Sequence, residues 1–246
     1  MRFRTNRRRK HQRKRKRTLK GGNKKIVYYT CFFGPNDSAA NIIPERPSKT
    51  SDCFYFTNNG DASQQAKDAG WTVVDMPVEI KATNRNNAMD SKELKACPHH
   101  FNELKGYTYS CYFDSKRYAK EKDILGMLGG MTGDVVMLIN RHPGIKGARQ
   151  ELEVALGQSR YAENKNKYEG LINEKLNEGY SNVSEYHYET NVILRKCGSI
   201  TESIGEDWFA DIKRTGAECQ ISFAFIQQKY KDNVRPLPVY YGQVFR

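Results

Sequence analysis

The chain has 246 residues and a formal net charge of +13, a length suited to one compact domain. The charge excess is local: residues 1–25 hold fourteen Lys or Arg and no acid, and the remaining 27 basic residues face 28 acids, so the body of the chain is not a basic nucleic-acid-binding surface. The longest apolar run is the pentad Val135–Ile139, far short of the roughly 20 apolar residues a membrane span needs.

Residues 1–23 contain almost no apolar side chains and cannot bury enough surface to offset the entropy of ordering. They are expected to form a disordered basic leader closing at Gly21-Gly22, with the folded domain over 24–246. Such a leader suits contact with nucleic acid, an anionic surface or a nuclear-import receptor, and equally a solubilising tail. It lacks the apolar core of a signal peptide, so the expected location is cytoplasmic, with nuclear import through the leader open. Then K-K-I-V-Y-Y-T-C-F-F reads as a fully buried first strand ending at Gly34-Pro35, and D-C-F-Y-F-T-N-N as a second strand after a Pro/Ser-containing loop. Residues 62–70 read as a helix, G-W-T-V-V-D-M-P as a third strand stopped by proline, and 84–96 as a helix ended by Pro98.

The segment Y-T-Y-S-C-Y-F-D-S-K (107–116) alternates aromatic and small residues and stops on one carboxylate, Asp114. A helix over 121–131, the buried strand G-D-V-V-M-L-I-N, helices over 150–157 and 161–179, the strand E-T-N-V-I-L-R and a long amphipathic helix over 206–231, open to interruption at Gly216, complete the pattern. Strands separated by helices argue for an α/β sheet flanked by helices, with ligands at the carboxyl ends of its strands, where Asn58, Asp114 and Asn140 fall. The six cysteines form no C-x-x-C pair and are expected to be buried, reduced thiols. Neither G-x-x-x-x-G-K-S/T, G-x-G-x-x-G nor G-x-S-x-G occurs.

Five ordered segments resemble one family: Y-T-C-F-F-G; D-C-F-Y-F-T-N-N; C-P-H-H followed by Y-T-Y-S-C-Y-F-D-S-K; R-H-P with Glu151 nine residues after His142; and Y-E-T-N-V-I-L-R with E-D-W-F-A-D-I-K-R-T-G-A-E-C-Q-I-S-F. Together they are similar to the glycosyltransferase-like family formerly called domain of unknown function 616, which includes plant turgor-regulation-defect and mucilage-related proteins and viral members. The basic leader, closing in L-K-G-G, also resembles the starts of proteins of large DNA viruses. The family resemblance implies a single GT-A-like domain, a mixed sheet flanked by helices, that moves a sugar from a nucleotide-sugar donor to a hydroxyl on a glycan or protein with Mn²⁺ or Mg²⁺. Three positions depart from the family pattern: Lys116 stands where members carry asparagine, and Glu218-Cys219 where they carry Arg-Asp. The alternative reading is therefore a degraded GT-A-like module tethered by its leader to nucleic acid or another anionic partner.

Glycosyl transfer must stabilise a diphosphate leaving group while a hydroxyl attacks the anomeric carbon. Asp114 is either a turn acid or the carboxylate that holds the cation neutralising the diphosphate, and Lys116 is placed to meet phosphate as a point charge. His142 suits a metal, a sugar hydroxyl or a strand cap. Asp52 and Asn58 flank the second strand, where nucleotide contacts fall in this fold. Glu189 and Asn191 share one face of their strand, a carboxylate and an amide suited to sugar hydroxyls. Glu189 and Asp207 are rival general bases. Glu151 and Gln220 join the acceptor side through the family motifs.

Overall fold

A computed structural model describes residues 26–35, 43–80, 84–115, 117 and 120–238; the basic leader and Lys116 lie outside the described residues. One seven-stranded sheet organises them. In chain order its strands are β1 (Ile26–Phe32), β2 (Asp52–Thr57), β3 (Thr72–Asp75), β4 (Tyr109–Phe113), β5 (Met137–Arg141), β6 (Tyr188–Lys196) and β7 (Val234–Pro236). Their spatial order is β3-β2-β1-β4-β6-β5-β7. Every adjacent pair is parallel except the two that involve β6, which runs antiparallel to both β4 and β5. Six strands thus point one way, and β6 starts where β4 and β5 end.

The helices are α1 (Gly60–Asp68), α2 (Asn84–Ala96), α3 (Glu121–Met127), α4 (Ala148–Leu156), α5 (Ser159–Ala162), α6 (Lys165–Asn177), α7 (Ser199–Thr215) and α8 (Cys219–Lys229). Strand β1 shows how the two faces are divided. Val27, Tyr29 and Cys31 point into one core with α2, α7 and α8, whereas Ile26 and Tyr28 point into the other with α1 and α3, as the two-residue repeat of a strand buried on both faces requires. The expected mixed sheet flanked by helices is present, and α2 has the bounds read from the sequence.

Four elements differ from expectation. The long helix is two, α7 and α8, broken at Gly216, whose φ of 128° is a left-handed value other residues avoid. Helix α7 begins at Ser199, so Glu206 and Asp207 lie mid-helix and not in a first turn. The second helix is also not amphipathic: Ile226 and Phe223 meet the sheet core while Ile221, Ala224 and Phe225 meet α4 and α6, and a helix covered on both sides must be apolar all round. The stretch 161–179 is split into α5 and α6, leaving Tyr161 and Tyr168 both buried in that outer cluster. Strand β7, three residues including a proline, gave no sequence signal. Of the cysteines, Cys197 is exposed and the other five are buried.

Candidate active site

A cleft of about 620 Å³ opens where β1, β4 and β5 end and β6 begins. Its floor follows from the strand order: the amide of Asp114 donates to the carbonyl of Asn191 at 2.9 Å, and Asn140 lies opposite Glu189 just where the β5–β6 register slips. Such irregularities re-aim side chains, here gathering polar groups from three strands at one edge.

One wall is cationic. Lys95, on the last turn of α2, places Nζ 2.8 Å from Asp114 Oδ1; the lysine side chain is 4% exposed and the aspartate 41%. Tyr112 donates its hydroxyl to the same oxygen at 2.7 Å, and the ammonium lies over the Tyr112 ring, 5.0 Å from its centroid. Burial raises the Asp114 pKa, but the ammonium groups of Lys95 and Lys92 outweigh it and hold the carboxyl below its ordinary value. Burial likewise disfavours the Lys95 cation, and Asp114 more than restores it, so its pKa is raised. Beneath them the buried Arg195 donates to the Lys95 carbonyl at 2.5 Å and to the Tyr29 hydroxyl at 2.9 Å, fixing the end of α2 against the sheet. Lys92, Arg117 and Arg160 line the same cleft.

The opposite wall carries Glu189. Its Oε2 accepts from Asn191 Nδ2 at 2.7 Å and Asn140 Nδ2 at 3.1 Å, while Oε1 lies 4.0 Å from His142 Nε2. His142 Nδ1 accepts from the amides of Gly144 (3.1 Å) and Ile145 (2.8 Å). That lone pair is therefore occupied, and the neutral ring carries its proton on Nε2. Burial lowers the His142 pKa, outweighing the nearby Glu151 and Glu189 carboxylates, so the neutral form dominates at pH 7. Behind this wall Glu151 pairs with His187 at 2.8 Å and accepts from Gln220 Nε2 at 2.8 Å; Gln220 Oε1 in turn accepts the Thr190 amide at 3.3 Å. The start of β6 is thus tied to α4 and α8.

The cleft brings together Asp114, His142, Glu151, Glu189, Asn191 and Gln220. Three expected site residues are elsewhere. Asp52 opens β2, at the amino end of the parallel strands, and accepts the Tyr107 hydroxyl at 2.5 Å. Asn58 is a tether, accepting the Gly34 amide at 3.1 Å and donating to the Val78 carbonyl at 3.2 Å. Asp207 is engaged by Lys229 (2.7 Å) and the Tyr230 hydroxyl (2.5 Å) beside a different hollow, whereas Glu189 lies in the cleft itself. Of the positions that depart from the family pattern, Glu218 is a buried cap that accepts the Gln220 amide at 3.1 Å. Cys219 is buried against Thr190 (3.2 Å) and Lys92 (3.6 Å).

Asp114 and His142, the two residues expected to hold a metal, both have partners within the protein. One carboxylate oxygen is committed to Lys95 and Tyr112, and the imidazole turns a proton rather than a lone pair outward. Among the described residues, the one set of three or more metal-ligating side chains with converging donor atoms lies outside the cleft. Sequence reasoning missed Lys95 and Lys92 altogether. Their helical spacing puts them on one face of α2, but nothing in the sequence says which strand that face meets.

No protein-family model and no curated protein matches the chain. Among solved structures, the apo form of mouse xyloside xylosyltransferase 1 superposes with a TM-score of 0.49 at 10% identity, covering 86% of this chain and 85% of that one. Likeness at this level carries nothing about residues or chemistry. Among the described residues no helix is long and apolar enough to cross a membrane.

Proposed function

We propose that the cleft binds a nucleotide sugar and transfers the sugar to an acceptor hydroxyl. The observation that supports this reading is the division of the cleft into a cationic wall on α2 and a carboxylate wall on β6. The donor diphosphate lies against Lys95 and Lys92, with Arg117 and Arg160 at the rim; fixed ammonium groups facing a developing diphosphate stabilise the transition state without reorganising. Glu189, held by Asn140 and Asn191, takes the acceptor proton as the hydroxyl attacks the anomeric carbon, a role worth about 10²–10⁴-fold in rate. His142 Nε2–H orients a sugar or acceptor oxygen beside it. The motif residues Asp114, His142, Glu151, Glu189, Asn191 and Gln220, which line the cleft, support the same reading.

In this proposal the lysines do the work a bound cation does in related chemistry, because the described cleft residues do not offer a ligand set for one. A panel of nucleotide sugars screened by melting temperature, followed by transfer and hydrolysis assays with and without a chelator, tests it. Binding of at least one nucleotide sugar and turnover that survives chelation are expected. Failure of the whole panel to shift the melting temperature overturns the reading, and turnover that stops on chelation overturns the metal-free version of it.

A further inference from the structure

Beyond the cleft, α2 runs out into Cys97-Pro98-His99-His100 and α7 crosses close against it. Gly205 permits the approach: a Cβ there would stand 2.4 Å from the Ala96 carbonyl oxygen and 3.5 Å from Cys97 Sγ. Pro98 opens a single 3₁₀ turn, so the two imidazoles leave the chain side by side, with ring centroids 4.5 Å apart and planes at 70°. Both aim Nε2 at one oxygen, Oε1 of Glu206, at 2.9 Å from His99 and 2.6 Å from His100. With Cys97 Sγ included, the four donor atoms lie within 4.8 Å of one another. A second carboxylate stands behind the group, with Glu93 Oε1 2.9 Å from His100 Nδ1.

We infer that Cys97, His99, His100 and Glu206 form a binding site for a zinc-class divalent cation, one that clamps the α2–β4 connection to α7. A thiolate, two imidazoles and a carboxylate are a donor set that zinc takes tetrahedrally, whereas magnesium and calcium prefer oxygen alone. Glu93 supplies the orienting contact that metal-bound histidines characteristically have: accepting the Nδ1 proton turns the Nε2 lone pair toward the group. Bonds of about 2.0–2.3 Å place tetrahedral ligands roughly 3.3–3.8 Å apart, so the donors must draw in by about 1 Å. His100 and Glu206 are exposed and have room to do so, while Cys97 and the helix contact at Gly205 form the rigid side. Binding releases the thiol proton to solvent. None of the four residues lines the cleft, so the site is structural and independent of the transferase reading.

The test uses the full chain, stripped of metal and kept reduced. Zn²⁺ titrated calorimetrically is expected to bind one per chain and to raise the melting temperature. Co²⁺ is expected to give the strong visible absorption of a tetrahedral site together with thiolate charge transfer, the latter lost in Cys97→Ser. The double variant His99→Ala/His100→Ala, on accessible positions, should lose stoichiometric binding even if Cys97→Ser fails to fold, and Glu93→Gln should weaken it about ten- to a hundredfold. Glu189→Gln, on the cleft wall away from α2 and α7, should keep the zinc. No stoichiometric Zn²⁺ in the parent chain, undiminished binding in the double histidine variant, a Co²⁺ spectrum without thiolate character, or loss of zinc on Glu189→Gln would each overturn the site.

Discussion

Removing one or the other partner of the Lys95–Asp114 pair should have unequal consequences, because the two ends of the pair see different amounts of water. The lysine side chain is 4% exposed and the aspartate 41%. Asp114→Ala strands an ammonium in the protein interior, over the Tyr112 ring. Breaking a fully buried pair this way costs about 3–5 kcal/mol; solvent access at the aspartate end reduces that to about 2–3 kcal/mol. Lys95→Met is milder, because Asp114 can hydrate and still accepts the Tyr112 hydroxyl, while the methionine fills the apolar channel of the lysine stem. About 1 kcal/mol or less is expected. Urea unfolding of both single variants and the double variant at pH 7 measures the two costs and their coupling. Ligand affinity should run the other way: Lys95→Met should weaken nucleoside diphosphate binding at least tenfold, being the variant that deletes the cation. If Lys95→Met proves the less stable of the two, the lysine is a structural post and not a charge held ready for a ligand.

The pH dependence of stability follows from the same pair. Asp114 has a depressed pKa in the fold, so its contribution is complete above the ordinary carboxylate value of about 3.9 and is lost as pH falls through the folded value. Lys95 has a raised pKa, so its contribution is complete below about 10.4 and is lost only as pH rises through the folded value. Urea midpoints from pH 2 to 11 should therefore show a loss on the acid side that Asp114→Ala largely removes. Glu189→Gln should keep the melting temperature within a few degrees and lower turnover by about 10²–10⁴-fold; unchanged turnover would place the base elsewhere. Gly216→Ala should destabilise by about 1–3 kcal/mol, since its φ is 128° and a Cβ would meet Asn164 Nδ2 at 2.5 Å and the Tyr168 hydroxyl at 2.8 Å; a denaturation curve that matches the parent would refute the strain.

What the sequence makes legible is local. Strand β1 announces itself as a mostly apolar, β-branched and aromatic run closed by Gly34-Pro35, α2 by its flanking Pro98, and Asp114 by its place at a strand end. What it hides depends on partners far along the chain. Lys95 is one charge among several on a polar helix until α2 is laid over β4, nineteen residues away, and Asp114 becomes its counter-ion. Asp52 fails for the complementary reason. It flanks the correct strand but at the amino end, whereas the cleft forms at the carboxyl end, and a motif read without strand direction cannot separate the two. Asp207 resembles a base because an acid pair precedes Trp208, yet the turn of α7 carries it to Lys229 and Tyr230.

Helix α2 then has an unusual burden. Lys92 and Lys95 face the cleft from its last two turns, and within five residues the chain supplies Cys97, His99 and His100 to the group on α7. The Lys95 carbonyl is held by Arg195 from β6, so the helix end cannot shift along its axis without breaking a buried charge-assisted contact. α7 in turn leads through Gly216 into α8, whose first turn carries Gln220 to Glu151 and to the start of β6. Both walls of the cleft are therefore referenced to the same α2–α7–α8 framework: the cationic wall directly, the carboxylate wall through Gln220. Rigidity at the α2–α7 contact, where Gly205 admits no side chain, sets the separation between Lys95 and Glu189. A variant such as Gly205→Ala should consequently disturb ligand affinity as well as stability, although it touches neither wall. Parent-like diphosphate binding in a folded Gly205→Ala protein would show that the two walls are positioned independently.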